Sequence, residues 1–448
     1  MKGCVISAPM TGSGKTTVTL GLLTALRNRG IRVQPFKVGP DFIDPGLHEI
    51  AAGVVSHNLD GWMLPRQTNE WLFAHASQGR DVAVVEGVMG LFDGLDGASD
   101  RGSTAEIAKW LDLPVILVVD AHGMARSAAA LVYGFQNLDP DVKITGVLFN
   151  RVGGEGHYRI LADAVKDLPL LGWLPADPSI EITERHLGLL TAEEELAASR
   201  IRAIGEFFEK NISVDAVLSS VGAVCDRRAR LGLLAERKRD SAQPKELFAP
   251  TARTKRVALA HDKAFSFYYQ ANRMALEEAG AEIIEFSPLS DLELPEADLL
   301  YIGGGYPELY RQRLEANTTM RASVKRFIES GKKFYAECGG LMYLAESIDE
   351  SQMVGIVPAK IEMTDRLVDF GYCEITTTVT SILGSAGTTA RGHQFHYSRP
   401  SGPRGEAYRV RQRNREYSEG FVFPNGIASY IHLHFLSNPA IAINMLQS

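Results

Sequence analysis

Cysteine is scarce in this sequence, and the four present (Cys4, Cys225, Cys338 and Cys373) are scattered over 448 residues. No two of them stand in the C-x-x-C spacing of a zinc or redox site, so neither a metal knuckle nor a disulfide framework is expected. The expected compartment is the reducing cytoplasm, where a functional cysteine is a nucleophile before it is a bridge. A basic excess is missing as well: 47 Lys and Arg face 54 Asp and Glu, a net charge of −7 with a pI near 5.9. Without surplus cations to neutralise phosphates, nucleic acid is not an expected partner. No apolar run approaches the roughly 18 residues of a membrane helix, so no membrane partner is expected either. The first residues read as a strand with no basic stretch ahead of it, and no signal peptide is expected.

What is there is alternation. Residues 4–8, 32–38, 82–86, 115–120 and 144–150 are short apolar runs, and helical patterns such as 125–135 separate them. Near-continuous apolar strands between helices predict a parallel sheet covered on both faces. Helices with a charged face are expected over 193–228. The polar stretch 237–256, with two prolines and no periodicity, predicts a linker at 241–255 between a domain of residues 1–240 and one of 256–448. A second alternating series then begins, with strands at 256–260, 282–286, 299–302 and 333–336 and helices at 268–279 and 341–346. The last 80 or so residues lose helical period and read as strands and loops.

The stretch "SAPMTGSGKTTVTLG" (7–21) follows the first strand and opens a helix, with Val18, Leu22, Leu23 and Leu26 at helical spacing. Gly14, Lys15 and Thr16 supply the second half of the phosphate-loop pattern G-x-x-x-x-G-K-[ST], while Pro9 stands where its first glycine belongs. Strand, glycine turn and helix aim free N–H groups at a phosphate. Lys15 would neutralise the transferred group, and the Thr16 hydroxyl would ligate Mg2+. "DVAVVEGVMGLFDG" (81–94) ends a strand at Glu86, on the sheet edge where ligands collect and where an acid orients Mg2+. A strand-end acid is expected at the sheet rim, clear of the core. "FKVGPDFIDPGLH" (36–48) ends another strand, so Lys37, Asp41, Asp44, Glu86 and Asp93 should gather at one edge, although turn chemistry alone accounts for Asp beside Pro and Gly. Asn150 ends a further strand and suits either an adenine edge or a structural cap.

"FYAECGGLMYL" (334–344) reads as strand, sharp turn and helix with Cys338 at the turn, where a helix N-terminus favours the thiolate. The ordinary alternative is a buried small hydrophobe. "GIASYIHLHFLSNP" (426–439) offers a base, His432 or His434, on one face of a strand-like run. The glycines of "YIGGGYPELY" (301–310) could supply oxyanion donors.

These residues carry a resemblance. The C-terminal part resembles a triad-type glutamine amidotransferase domain, with Cys338 as nucleophile and His432 as base. That family's His-x-Glu would close a triad, but His434 stands at the Glu position, as in the cobyrinate and cobyrate amide-synthase branch. The N-terminal part resembles ATP-dependent synthetase domains related to dethiobiotin synthetase. "APMTGSGKTT", "FKVGPDFIDPGLH", "EGVMGLFDG", "RGHQFHYS" (391–398) and "SYIHLHF", in this order over nearly the whole chain, resemble the cobyrinate a,c-diamide synthase family. The resemblance implies an α/β chain of two domains, a P-loop-type synthetase with a parallel sheet and an α/β glutamine amidotransferase. It implies ATP, L-glutamine and a corrinoid, cobyrinate, as substrates, Mg2+ as cofactor, and a homodimer as one assembly. Gly12, Ser13, Gly14, Lys15, Thr16, Thr17 and Asn150 would hold the nucleotide, and Thr16, Glu86 and Asp41 the metal. Asp41, Asp44 and Asp93 would join Cys338 and His432 in catalysis, Asp44 and Asp93 by orienting substrate and intermediate. Hydrogenobyrinate and nickel sirohydrochlorin are alternative acceptors. A nucleotide switch with a dead glutaminase is the alternative from another class.

Overall fold

The computed structural model describes residues 2–178, 180, 194–230, 254–402 and 405–447. Two compact units make up the chain, Met1–Gln243 and Pro244–Ser448. The linker expected at 241–255 falls outside the described residues up to position 253, and Lys255 already opens a strand.

The first unit is built on a sheet of seven parallel strands: β1 (Lys2–Ser7), β2 (Val33–Val38), β3 (His57–Leu59), β4 (Val82–Glu86), β5 (Val115–Asp120), β6 (Ile144–Val152) and β7 (Leu170–Pro175). Their spatial order is β3-β2-β4-β1-β5-β6-β7. Both faces are covered, so β2 and β4 are buried at every residue, Gln34, Lys37 and Glu86 included. The chain leaves β1 into helix α1 (Lys15–Asn28) and crosses to β2 on one side, while β5 lies on the other. This is the switch point where open α/β sheets bind ligands.

α1 packs on a helix over Glu194–Asn211, and the approach is close. A Cβ on Gly21 would lie 2.7 Å from Phe208 Cβ, and one on Gly205 would lie 2.4 Å from Thr24 Cγ2, so both crossing points require glycine. The helices expected over 193–228 are the pair Glu194–Asn211 and Val214–Arg230. Phe208, Val217 and Val221 join Leu22 and Leu26 in one core.

The second unit has a six-stranded sheet in which β8 (Lys255–Ala260), β9 (Ala281–Phe286), β10 (Leu299–Ile302) and β11 (Lys333–Glu337) are parallel. Gly426–Ser429 adds in parallel beside β11, and Phe421–Phe423 closes that edge as a hairpin. Asp369–Thr377 and Thr389–His396 form the centre of a five-stranded sheet of antiparallel pairs, whose edge is the two-residue strand His432–Leu433. The strands expected near the end of the chain are present, but Ala440–Leu446 is a helix. Ile441, Ala442, Met445 and Leu446 bury one face of it, the apolar spacing of a helix that the run-by-run reading passed over.

Candidate active sites

The loop after β1 turns into α1 at Gly14, whose φ is +94°. A Cβ there would also lie 2.1 Å from Asn150 Nδ2, so glycine is required on two counts. No side chain caps α1, and its first N–H groups and positive end face the loop. Lys15 Nζ donates to Met89 O at 2.6 Å and Met10 O at 3.3 Å, joining the loop after β1 to the loop after β4. Burial and the Lys37 charge hold the Lys15 ammonium below its ordinary pKa, against the pull of Glu86, Asp44 and Asp93.

Strand pairing sets Lys37 beside Glu86. Lys37 Nζ donates to Glu86 Oε1 at 2.9 Å and to Asp44 Oδ2, with Asp41 Oδ2 at 3.9 Å. Thr16 Oγ1 donates to the same Glu86 Oε1 at 2.7 Å. His48 Nε2 meets Glu86 Oε2 at 2.8 Å, and its Nδ1 meets Ser56 Oγ at 3.1 Å. Glu86 is therefore not a rim residue. It is 0% exposed, because the register that ends β4 beside β2 encloses it between α1, Lys37 and His48. Burial opposes its charge, but Lys37 and His48 win and hold it well below the usual carboxylate range. Lys37 is likewise held protonated: burial opposes, and Asp44, Glu86 and Asp41 override it. Burial with the Asp41 and Glu86 charges pushes Asp44 up, against Lys37.

The other residues of this edge have defined tasks. Asp41 Oδ1 accepts from Ile43 N (2.8 Å) and Asp44 N (3.3 Å), so it starts helix α2 (Ile43–Ala52), the turn chemistry anticipated for it. Asp93 is exposed, and its Oδ2 accepts from Gly90 N at 2.9 Å. Asn150 Nδ2 donates to Ser13 O at 2.9 Å, holding the loop, and Ser13 Oγ donates to Met10 O at 3.0 Å. Gly12 is exposed with φ +80°, and Thr17 is half-buried in the first turn of α1. No group of three or more His, Cys, Asp or Glu forms a metal cage among the described residues. One carboxylate and one hydroxyl, completed by phosphate and water, are what Mg2+ takes at a nucleotide, and the Thr16–Glu86 pair fits that donor set.

In the second unit β11 delivers Cys338 at φ +53° and ψ −107°, immediately ahead of the helix Gly339–Leu344. A non-glycine residue held there is a strained elbow of the nucleophile kind. A Cβ on Gly340 would lie 2.2 Å from Ile302 O, so only glycine lets the helix start so close to β10. His432 is buried, and its ring lies with Cys338 against the backbone of Gly304. Burial opposes its protonation, yet Cys338 and Glu337 raise its pKa to about 10. A Cβ on Gly304 would lie 2.3 Å from His432 Cε1 and 3.3 Å from Cys338 Cβ, so the glycine loop passes directly over the pair. Within that loop Gly303 N donates to Tyr268 OH and Gly304 N to Phe267 O. Gly305 N, by contrast, lies 3.1 Å from where a Cβ on Gly339 would stand. Gly305 N and the residue after the thiol thus lie side by side.

His434 does not stand as a triad acid would. The strand stops at Leu433, and the His434 ring lies against Tyr269 with centroids 4.6 Å apart. His393, from the RGHQFHYS stretch, stacks on His432 at 5.0 Å. Three neighbours of these sites were not assigned from the sequence: His48 behind Glu86, His393 on His432, and Glu337, an acid between the apolar run Phe334–Ala336 and the thiol.

Residues 4–190 match the CobQ/CobB/MinD/ParA nucleotide binding domain family, and residues 256–440 the CobB/CobQ-like glutamine amidotransferase domain family. Among curated relatives, the cobyrinate a,c-diamide synthase of Listeria monocytogenes serovar 1/2a is 42% identical over 99% of both chains. That of Salmonella typhimurium is 42% identical over 97% of this chain and 95% of the relative. That of Methanothermobacter thermautotrophicus is 40% identical over 98% of both. With a nucleotide-binding unit, a thiol–imidazole unit and full-length relatives at this identity, the chain belongs to the cobyrinate a,c-diamide synthase family.

Proposed function

We propose that this chain amidates the a and c acetate carboxylates of cobyrinate, drawing ammonia from glutamine and energy from ATP. The observation that carries the reading is the presence in one chain of the Lys15–Thr16–Glu86–Lys37 cluster at a parallel-sheet edge and the Cys338–His432 pair at an elbow. The names of full-length relatives supply the acceptor.

At the elbow the Cys338 thiolate attacks the side-chain amide carbon of glutamine, and Gly305 and Gly339 N–H receive the oxyanion. His432 gives its proton to the amide nitrogen, the C–N bond breaks, and ammonia leaves a γ-glutamyl thioester. Water, deprotonated by His432, attacks the thioester carbon; glutamate departs and the thiol is restored. In the first unit a corrinoid carboxylate attacks the γ-phosphorus of ATP, the bond to ADP breaks, and an acyl phosphate forms. Ammonia then attacks the acyl carbon, inorganic phosphate leaves, and loss of a proton gives the amide. Two rounds complete the product.

Gly12, Ser13, Gly14 and Thr17 frame the phosphates with Lys15, which balances charge on the migrating group. Asn150 keeps the loop closed on them. Mg2+, held by Thr16 and Glu86 with Asp41 nearby, supplies charge neutralisation on the phosphates when bound. Asp44 and Asp93 orient the substrate carboxylate and the acyl phosphate. The site of action is cytoplasmic, and a homodimer is the proposed assembly. The test compares ATP-dependent amidation of cobyrinate, hydrogenobyrinate and nickel sirohydrochlorin, each with glutamine and with ammonia. Preferential turnover of cobyrinate with both donors is expected. Preference for another macrocycle would reassign the acceptor, and no turnover with any of them would overturn the reading.

A further inference from the structure

We propose that Glu337, the residue immediately before the nucleophile, is the positioning acid of the glutaminase site and takes the place left open where His434 replaces a triad carboxylate. The proposal rests on the reading of Cys338 and His432 as the glutamine-hydrolysing pair.

Glu337 closes β11 with its side chain 0% exposed. Its Oε1 stands 3.8 Å from His432 Nδ1 and accepts from Tyr301 OH at 2.9 Å. Its Oε2 accepts from Tyr335 OH at 3.0 Å and from Leu433 N at 3.3 Å. Burying a carboxylate is costly unless it is paired and hydrogen-bonded. Two phenols and one amide donate to its two oxygens and fix the carboxylate in place, and the imidazole faces it as the charged partner. Cys338 approaches His432 from the Nε2 side, under Gly304, while Glu337 faces Nδ1. Thiol, imidazole and carboxylate therefore follow one another in the order that orients a catalytic histidine and stabilises its charged form. The bond from Leu433 N ties the carboxylate to the strand that carries His432, so elbow and base are held in one piece. A gap of 3.8 Å suits a resting site, since catalytic hydrogen bonds commonly tighten only with substrate bound.

Among the described residues, Cys338 and Glu337 are the charged groups that act most strongly on the His432 ring. His393, stacked on it, is driven well below the ordinary histidine pKa, first by burial and then by His432 and His434. Burial likewise lowers His396 to about 4, against its bond to Ser398 O. Tyr301 and Tyr335 are buried and held protonated, and the His434 ring lies against Tyr269.

The experiment measures glutamine hydrolysis by the full chain against pH, for the wild type, Glu337→Gln and Glu337→Asp. Each protein is also assayed for amidation with ammonia and for the rate of Cys338 alkylation by iodoacetamide. His432 must be protonated to release ammonia, so activity falls as pH rises through its pKa. Removing the Glu337 charge lowers that pKa. For Glu337→Gln the expected results are a loss of roughly 10²- to 10³-fold in kcat for glutamine and an alkaline limb moved down by about one pH unit. Ammonia-dependent amidation should be retained. Glu337→Asp keeps the charge at a longer distance, so it should be slowed with an alkaline limb nearer that of the wild type. A Gln variant that keeps ammonia-dependent activity but hydrolyses glutamine like the wild type, with an unmoved limb and unmoved alkylation profile, overturns the proposal. If the Gln variant does not fold, an Asp variant at wild-type rate overturns it instead. A wild type that hydrolyses no glutamine overturns the underlying reading of the Cys338 site, a result distinct from either.

Discussion

Thr16 and Glu86 are joined by a 2.7 Å hydrogen bond that ties the first turn of α1 to the last residue of β4. Glu86 Oε1 also takes the Lys37 ammonium, and its other oxygen meets His48. The position expected to hold a metal is thus also the structural centre of this sheet edge.

That double role alters what Glu86→Gln should do. Loss of the charge should cost on the order of 10²-fold or more in ammonia-dependent amidation, as for loss of one stabilising group in a transition state. It also leaves Asp44 as the remaining close buried counter-charge of Lys37, and the weakened pairing destabilises by roughly 1–3 kcal/mol. A thermal melt and a titration of rate against Mg2+ separate the two effects. A lowered melt with a rate that added Mg2+ rescues only in part is expected. An unchanged melt with a wild-type rate at every Mg2+ concentration would remove Glu86 from both roles.

Cys338→Ala should abolish glutamine-dependent amidation and leave the ammonia-dependent reaction, since only nitrogen release needs the thiolate. Parallel assays with the two donors decide it. Equal losses with both would contradict two separate sites.

His432→Ala should reproduce the Cys338→Ala pattern, because its ring and Cys338 meet under Gly304. His434→Ala removes a ring packed on Tyr269 and should lower stability more than it lowers glutaminase turnover. Steady-state glutamine hydrolysis and a melt on each variant make the comparison. Greater damage to turnover at position 434 would reverse the assignment of the base.

Glu419 offers a pH test of stability one residue removed from the thiol, since Ser429, which donates to it, accepts from Cys338 N. Burial raises its pKa to about 7 from an ordinary 4.5, although Ser429 Oγ and Tyr430 N donate to it. A carboxyl raised in the folded state contributes stability below pH 4.5 and loses it as pH climbs toward about 7. Glu419→Gln removes the titration. The wild-type denaturation midpoint should fall relative to the variant's between those two pH values, and parallel curves would show that Glu419 does not titrate there.

Much of the site could be read without a structure where its parts are contiguous in sequence. The phosphate loop is a strand, a glycine turn and a helix within one stretch, and the thiol elbow is another, so local chemistry marks both. Glu337 and His48 were legible as residue types within quoted stretches, but not as partners. Glu337 acquires its meaning only when Gly426–Ser429 pairs with β11 and carries His432 alongside. Glu86 was placed correctly along the chain and wrongly in depth, because a strand end is exposed or enclosed according to what its neighbours bring over it.

The sequence alone determined the two α/β units, the phosphate-binding loop, the thiol at its turn and the family, since apolar periodicity and contiguous motifs depend on short-range geometry. Tertiary structure decided which charges meet. Parallel pairing of β2 with β4 put Lys37 on Glu86, and the chain's return past β11 put a carboxylate on one side of His432 and a thiol on the other. Such contacts join residues that the order of the chain keeps apart. Strand register and burial, not spacing along the sequence, set their distances and their protonation states.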